Sequence, residues 1–374
     1  MRIVFRADSS SLIGSGHVMR CLALAREFKR SGAEIHFVCA PYEGKLDGLI
    51  RASGCAYHEL TGMDERLSMD HRLWNAGAVS AHVADVGRTL ASIGAVDWLV
   101  IDNYGLDAGF ESPCRNFVRH VAVIDDLANR EHDATLLVDQ NLFQDADERY
   151  RALLPVNCLT LLGPRYALLR EEFRAQREAR VERIAPSGAL NVLAFFGGGD
   201  NSNETEKFLL GWRDSVDGNL SADVVVGGGN PKIDRLRSLA ATMQHVRIHH
   251  QTLEMASLMA GSDYAFGASG IANWERLCLG LNASVVCVAE NQVQPARALA
   301  QEGLIDYIGS ADETSPSTYA QALHRLKANP TDYLRHAERL MNYVDGLGAR
   351  RVARAILNRA SQGRGTRSFI HFGT

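Results

Sequence analysis

The chain has 374 residues, 46% hydrophobic and 22% charged, which excludes a disordered polypeptide and is long enough for two ordinary α/β cores. A formal net charge of -4 and a pI near 6.4 give no general attraction to nucleic acid or anionic lipid, so any phosphate must be held locally, as on a small anionic ligand. Seven scattered cysteines without CxxC spacing read as buried thiols of a reducing compartment. The start, MRIVFRAD, lacks the apolar stretch of a signal peptide, and no run approaches transmembrane length, so a cytoplasmic monomer is expected.

Residues 2–5 (RIVF) predict a first strand, followed by a Ser/Gly loop through Gly16 and a helix from His17 to about Arg30. Val18, Cys21, Leu22, Ala25 and Phe28 share one helical face, and Arg26, Lys29 and Arg30 crowd the last turn, where cations complement the helix dipole. Ser31-Gly32 ends the helix, and AEIHFVCA (33–40) completes a βαβ unit. WLVID (98–102) and VAVIDD (121–126) continue as buried strands with acidic ends. A charged segment follows, and the pattern restarts with LNVLAFFGGGD (190–200), a helical stretch and ADVVVGGG (222–229). Residues 280–288 read as loop and strand, and helical segments follow residue 312. The expected organisation is a first Rossmann-like domain over 1–172, a linker region over 173–189, a second Rossmann-like domain over 190–360, and a polar tail over 361–374. Ligand binding is expected in the cleft between the domains, outside the carboxyl ends of the strands.

Three loops could carry chemistry there. SSSLIGSGHVMRC (9–21) puts Gly14 and Gly16 between strand and helix, where backbone can pass close to a diphosphate or sugar. It is not a nicotinamide fingerprint, because Met19 replaces the third glycine and the second strand ends in Cys39-Ala40 rather than an acid; no GxxxxGK[ST] occurs either. His17, at the start of the helix, has two readings: a polar residue helping to cap it, or a general base kept neutral by the helix N-terminus. FFGGGDNSNETE (195–206) offers Gly198 and Gly199 as backbone donors to phosphate, against the plainer reading of a turn with Asn203 as N-cap and Glu206 completing a capping box. GASGIANWERLCLG (267–280) opens a helix after Ser269-Gly270 and sets Glu275 near its start. That carboxylate either complements the dipole or clamps the two hydroxyls of a ribose. Asn291 and Gln292, after the strand ASVVCVA, would face the same cleft. Asp125-Asp126 and His249-His250 lack metal-ligand spacing and read as structural, so neither a metal nor a cofactor is expected.

With these loops in view, the sequence resembles the UDP-2,4-diacetamido-2,4,6-trideoxy-β-L-altropyranose hydrolase family of pseudaminic acid biosynthesis. The shared motifs are FRADSSSLIGSGHVMRC, IDNYGLD (101–107), VIDDLANREHD (123–133), LLGPRYALLREEF (161–173), FFGGGDNSNE, the Ser269–Gly280 segment and Asn291-Gln292. A more distant resemblance is to the peptidoglycan N-acetylglucosaminyltransferase and its GT-B fold, two Rossmann-like domains facing across a cleft. The resemblance implies metal-independent, inverting hydrolysis of a UDP-sugar. It implies His17 as the base that activates water, Tyr104 and Asn291 near the sugar, and Asn203 and Glu275 among the UDP-sugar contacts. Asn103 and Asp139 depart from the family pattern, where histidine and asparagine occur, and are connected with sugar preference. The chemistry is self-consistent: UDP leaves as a stabilised anion, so one base and a diphosphate cradle suffice, without the acid and second carboxylate of ordinary glycosidases. The rival expectations are a GT-B glycosyltransferase, which an extended apolar or basic patch beside the first-domain loops would favour, and a non-catalytic UDP-sugar-binding protein.

Overall fold

The computed structural model describes residues 1–179, 190–215, 220–329 and 336–362. Two separate parallel sheets form. The first contains β1 (Arg2–Ala7), β2 (Glu34–Cys39), β3 (Ala56–Glu59), β4 (Val96–Asp102), β5 (Val118–Ile124), β6 (Leu136–Asp139) and β7 (Leu159–Leu162), in the order β3-β2-β1-β4-β5-β6-β7. The second contains β8 (Leu190–Phe195), β9 (Leu220–Val226), β10 (Val246–His250), β11 (Tyr264–Ala268), β12 (Ala283–Cys287) and β13 (Asp306–Ser310), in the order β10-β9-β8-β11-β12-β13.

Both sheets are covered on both faces, which is why their central strands read as continuous apolar runs rather than alternating ones. In β1, Ile3 and Phe5 pack under the helix Gly16–Arg30 with its Val18, Cys21, Leu24 and Phe28. Val4 on the opposite face joins Leu99, Ile101, Val86 and Phe110. Strand order reverses between β1 and β4 in the first sheet and between β8 and β11 in the second, and crevices open at such reversals. The loops after β1 and β4, and those after β8 and β11, therefore frame the cleft.

Two helices cross the boundaries expected from sequence. Glu171–Glu178, in the supposed linker, buries Phe173 in the core of the second domain. Gly348–Gln362, expected to close the second domain, instead returns to the first and contributes Ala349, Val352, Ala353 and Ile356 to its core. The crossing is tight. A Cβ on Gly348 would lie 2.2 Å from the Ala167 carbonyl oxygen, so only glycine lets the two connecting segments touch. Residues 180–189 of the linker region and 363–374 of the tail lie outside the described residues. All seven cysteines are free thiols, six buried and Cys158 half-buried. No described helix is long and apolar enough to cross a membrane.

Candidate active site

The first-domain half of the cleft is built around a buried carboxylate. Asp102 ends β4 with no exposure, and Arg20, one turn along the helix Gly16–Arg30, grips it with Nε and Nη2, each at 2.6 Å. His17 Nδ1 lies 2.6 Å from Asp102 Oδ1. A carboxylate only accepts, so Nδ1 carries the proton and Nε2, with no hydrogen-bond partner among the described residues, is the basic nitrogen. Arg20 Nη2 is also 3.3 Å from Nδ1, but its strong bond goes to Asp102. Burial works to raise the Asp102 pKa, yet Arg20 and then His17 outweigh it and hold the group well below the usual carboxylate range. The histidine ring is thus held by a carboxylate rather than spent on capping the helix, whose N-cap, Ser15, makes no side-chain bond.

Tyr104 follows β4 and meets the His17 ring edge-on, with centroids 4.6 Å apart. Burial, then Asp126 beside it, pushes its hydroxyl pKa well up, so it stays a neutral donor. Asp126 takes Arg20 Nη1 at 3.0 Å. Asn103 turns away from the cleft, its Nδ2 donating to Asp8 at 2.9 Å. Asp139 accepts from Tyr150, Arg149 and the Asn141 N–H, but burial and then the Asp126 charge raise its pKa to about 7. Gly14 closes a short loop by exchanging backbone bonds with Ser10, and Gly16 begins the helix.

The glycine loop after β8 faces this assembly directly. A Cβ on Gly198 would come 3.8 Å from Ser15 Oγ and one on Gly199 3.3 Å from the Ser11 carbonyl, while Asn201 Nδ2 reaches Ser11 O at 3.4 Å. On its other side Gly198 packs on Gly227, where a Cβ would sit 2.2 Å from the Gly198 carbonyl. The triple glycine therefore serves close packing as well as access to backbone N–H groups. The expected capping box is not formed. Asp200 caps the helix Glu204–Arg213 by accepting from the Glu204 and Thr205 N–H groups, and Asn203, at φ 63°, donates to Glu206 instead.

After β11, Ser269 Oγ accepts from Asn273, and Gly270 lies against Gln292, whose Oε1 accepts the Val288 N–H. Glu275 is the fifth residue of the helix Ile271–Cys278, in its second turn rather than at its start, and approaches Arg170 to 4.0 Å. Burial raises its pKa, while Arg170 and Arg276 pull it back. Asn291 is exposed on a short 3-10 turn whose Glu290 lies in the field of Arg72 from the first domain. The structure thus gathers Gly14, Gly16, His17 and Tyr104 against Gly198 and Gly199, and Ser269, Gly270 and Gln292 into a neighbouring group. Asn203 is committed elsewhere.

Asp102 and Arg20 escaped the sequence reading, and Asp126, read there as structural, joins them through Arg20. Asp125, by contrast, is sealed inside by Arg130 at 2.8 Å and Tyr150, and His249 pairs with Asp223, as structural residues would. No cluster of three metal-ligating side chains occurs among the described residues. A separate crevice of about 470 Å³, lined by Arg26, Arg30, Arg174 and Arg354, lies at the far end of the first helix. At 1.5 Å per residue its Arg26 and Arg30 lie roughly 14–20 Å along that helix from His17.

No protein-family model matches the chain. The chain is 26% identical over 306 residues to a UDP-2,4-diacetamido-2,4,6-trideoxy-beta-L-altropyranose hydrolase of Campylobacter jejuni, covering 81% of this chain and 97% of that one. It resembles that hydrolase. A spore coat polysaccharide biosynthesis protein, SpsG of Bacillus subtilis, is 27% identical over 55% of this chain and 60% of its own length. Among solved structures, Acinetobacter baumannii MurG superposes with a TM-score of 0.66 at 13% identity, covering 96% of this chain and 99% of that one. A UDP co-structure of S. aureus MnaA gives 0.66 at 12% identity, covering 100% and 99%. The fold is GT-B.

Proposed function

We propose that this chain hydrolyses a UDP-sugar, UDP-2,4-diacetamido-2,4,6-trideoxy-β-L-altropyranose, to UDP and the free sugar with anomeric inversion, as a step of pseudaminic acid biosynthesis that feeds a surface glycan such as that on flagellin. The observation that carries the reading is the His17–Asp102–Arg20 assembly at the strand reversal of one sheet, facing the glycine loop at the reversal of the other. Water held at His17 Nε2 attacks the anomeric carbon. Its oxygen bonds to that carbon, its proton passes to Nε2, and the carbon–oxygen bond to the β-phosphate breaks with its electron pair on UDP. Asp102 balances the charge the ring gains, and backbone N–H groups of the glycine loops take the diphosphate charge. Tyr104 and Asn291 belong to the sugar end. Ser269, Gly270, Glu275 and Gln292 belong to the nucleotide end, and Asn203 holds its loop through Glu206. Seven free thiols fit a reducing cytoplasm, where we expect a monomer.

The decisive experiment incubates the pure protein with this UDP-sugar and follows UDP without any acceptor. Steady UDP release with the inverted anomer formed first is expected. Release only after an acceptor is added would make the protein a glycosyltransferase, and binding for hours without release a binding protein. Leu12, Met69 and Leu73 are exposed on the first domain, and the arginines near them in sequence are paired locally, Arg66 with Asp64 and Arg72 with Asp70.

At the nucleotide end, Glu275→Ala should weaken UDP by about tenfold or more, since a hydrogen bond to a charged group contributes about 1.5–3 kcal/mol. Calorimetry with UDP alone checks this. Unchanged affinity would leave Glu275 as a partner of Arg170 only.

A further inference from the structure

Asp126 stands just after β5 at the carboxyl edge of the first sheet, and the base assembly does not use it. It is nonetheless tied to that assembly through Arg20 Nη1 at 3.0 Å, and its charge helps to push up the pKa of the Tyr104 hydroxyl. Its neighbour Asp125 is fully buried, whereas the Asp126 side chain keeps 14% of its surface exposed. The hydrogen-bond directions on this edge follow from chemistry. A carboxylate paired with arginine can only accept. Arg20 occupies one of the roughly four acceptor positions of the Asp126 carboxylate, and the side chain keeps exposed surface through which others can be reached. Asp126 therefore offers acceptors at the edge beside His17. The glycine loops across the cleft offer the opposite, backbone N–H donors. A ligand spanning the two must carry anionic charge at one end and N–H or O–H groups at the other.

We propose that Asp126 is a specificity-determining carboxylate that accepts a hydrogen bond from an N–H or hydroxyl of the sugar and rejects sugars bearing a carboxylate. The assignment rests on the UDP-sugar reading and names its substrate class: a UDP-linked sugar with donor groups and no acid. Arg20 keeps its bidentate hold on Asp102 when Asp126 changes, so the base stays in place. An amide at 126 offers a donor as well as an acceptor and no negative charge. The selection should then fail while the nucleotide grip is unaltered.

The test is calorimetry of wild type and Asp126→Asn with three probes: UDP, UDP-N-acetylglucosamine and UDP-glucuronic acid. Wild type should bind the acetamido sugar at least about tenfold tighter than the uronate, one factor of ten being about 1.4 kcal/mol. In Asp126→Asn that gap should close to within about threefold, with UDP unchanged. A wild type that does not discriminate overturns the assignment, as does a variant that keeps the full gap or loses all three ligands equally. Should Asp126→Asn fail to fold, Asp126→Glu retains the charge and must retain rejection of the uronate; loss of rejection overturns the proposal. None of these measurements needs turnover. Failure of UDP itself to bind would remove the UDP-sugar reading, whereas UDP binding without sugar discrimination removes only the role of Asp126.

Discussion

His17→Asn protein should lose turnover by about 100-fold to 10,000-fold, the contribution of a positioned base, while binding UDP as before. The reason lies in how the ring is held. Its Nδ1 is bound to Asp102 at 2.6 Å, and an asparagine amide can donate to the same carboxylate, so the buried Arg20–Asp102 pair keeps its surroundings. What disappears is Nε2, the only basic atom the residue offers to water. The proposed site assigns the nucleotide to the glycine loops across the cleft, so its affinity should not follow. In steady-state kinetics kcat and kcat/KM should fall together with little change in KM, the pattern of an interaction made in the transition state. Near-normal turnover under saturation would place the base elsewhere. A joint fall of turnover, UDP affinity and thermal stability would mean that His17 serves the helix start alone.

The second large effect is expected at Asp102. Asp102→Asn leaves a buried guanidinium without the carboxylate it grips twice, and breaking one partner of such a pair costs about 3–5 kcal/mol. Urea unfolding should show that loss. Activity should fall further than stability explains, because a neutral amide can donate to His17 Nδ1 and drive the proton onto Nε2, the tautomer that cannot act as base. The pH dependence gives an independent sign. The folded pKa of Asp102 is depressed below its unfolded value near 3.9, so its stabilisation is fully present above about pH 4 and is lost as pH falls through the depressed folded pKa. The stability gap between wild type and variant should therefore be constant from pH 7 to 5 and narrow only in stronger acid. A gap that closes near neutrality would show that the carboxylate is not held by Arg20 and His17.

Much of this molecule was legible in the sequence because local chemistry decided it. The runs RIVF, EIHFVC and WLVID are central strands buried on both faces, so their apolar character survives without any knowledge of neighbours. The helix Gly16–Arg30 announces itself by its apolar face and by the loop that precedes it. The strand–glycine–helix pattern, met twice, led to two sheets and to the loops at their strand reversals. The edge strands β3 (AYHE) and β10 (VRIHH) were missed because an edge is half solvated and its sequence carries little periodic signal.

Only the tertiary structure could decide the rest. Arg20 and Asp102 are separated by 82 residues, and nothing in either local sequence says that the lysine-like choice of an exposed arginine was not made; the adjacency of β1 and β4 places the pair together. Asp125 and Asp126 are identical in sequence terms, yet successive residues leaving a strand turn to opposite sides, so Arg130 seals one inside and the other meets Arg20 and Tyr104 at the cleft. Asn203 looked like a cap, but Asp200 reached the free N–H groups first by geometry, leaving Asn203 to Glu206. The return of the last helix to the first domain is likewise a packing result: its Ala349, Val352, Ala353 and Ile356 join that core, and Gly348 permits the close approach to Ala167 at the crossing. Sequence by itself determined the elements and the chemistry each loop could offer, because backbone propensity and residue type are local; which groups meet was decided by strand order, because contact between distant residues exists only once the sheets have formed.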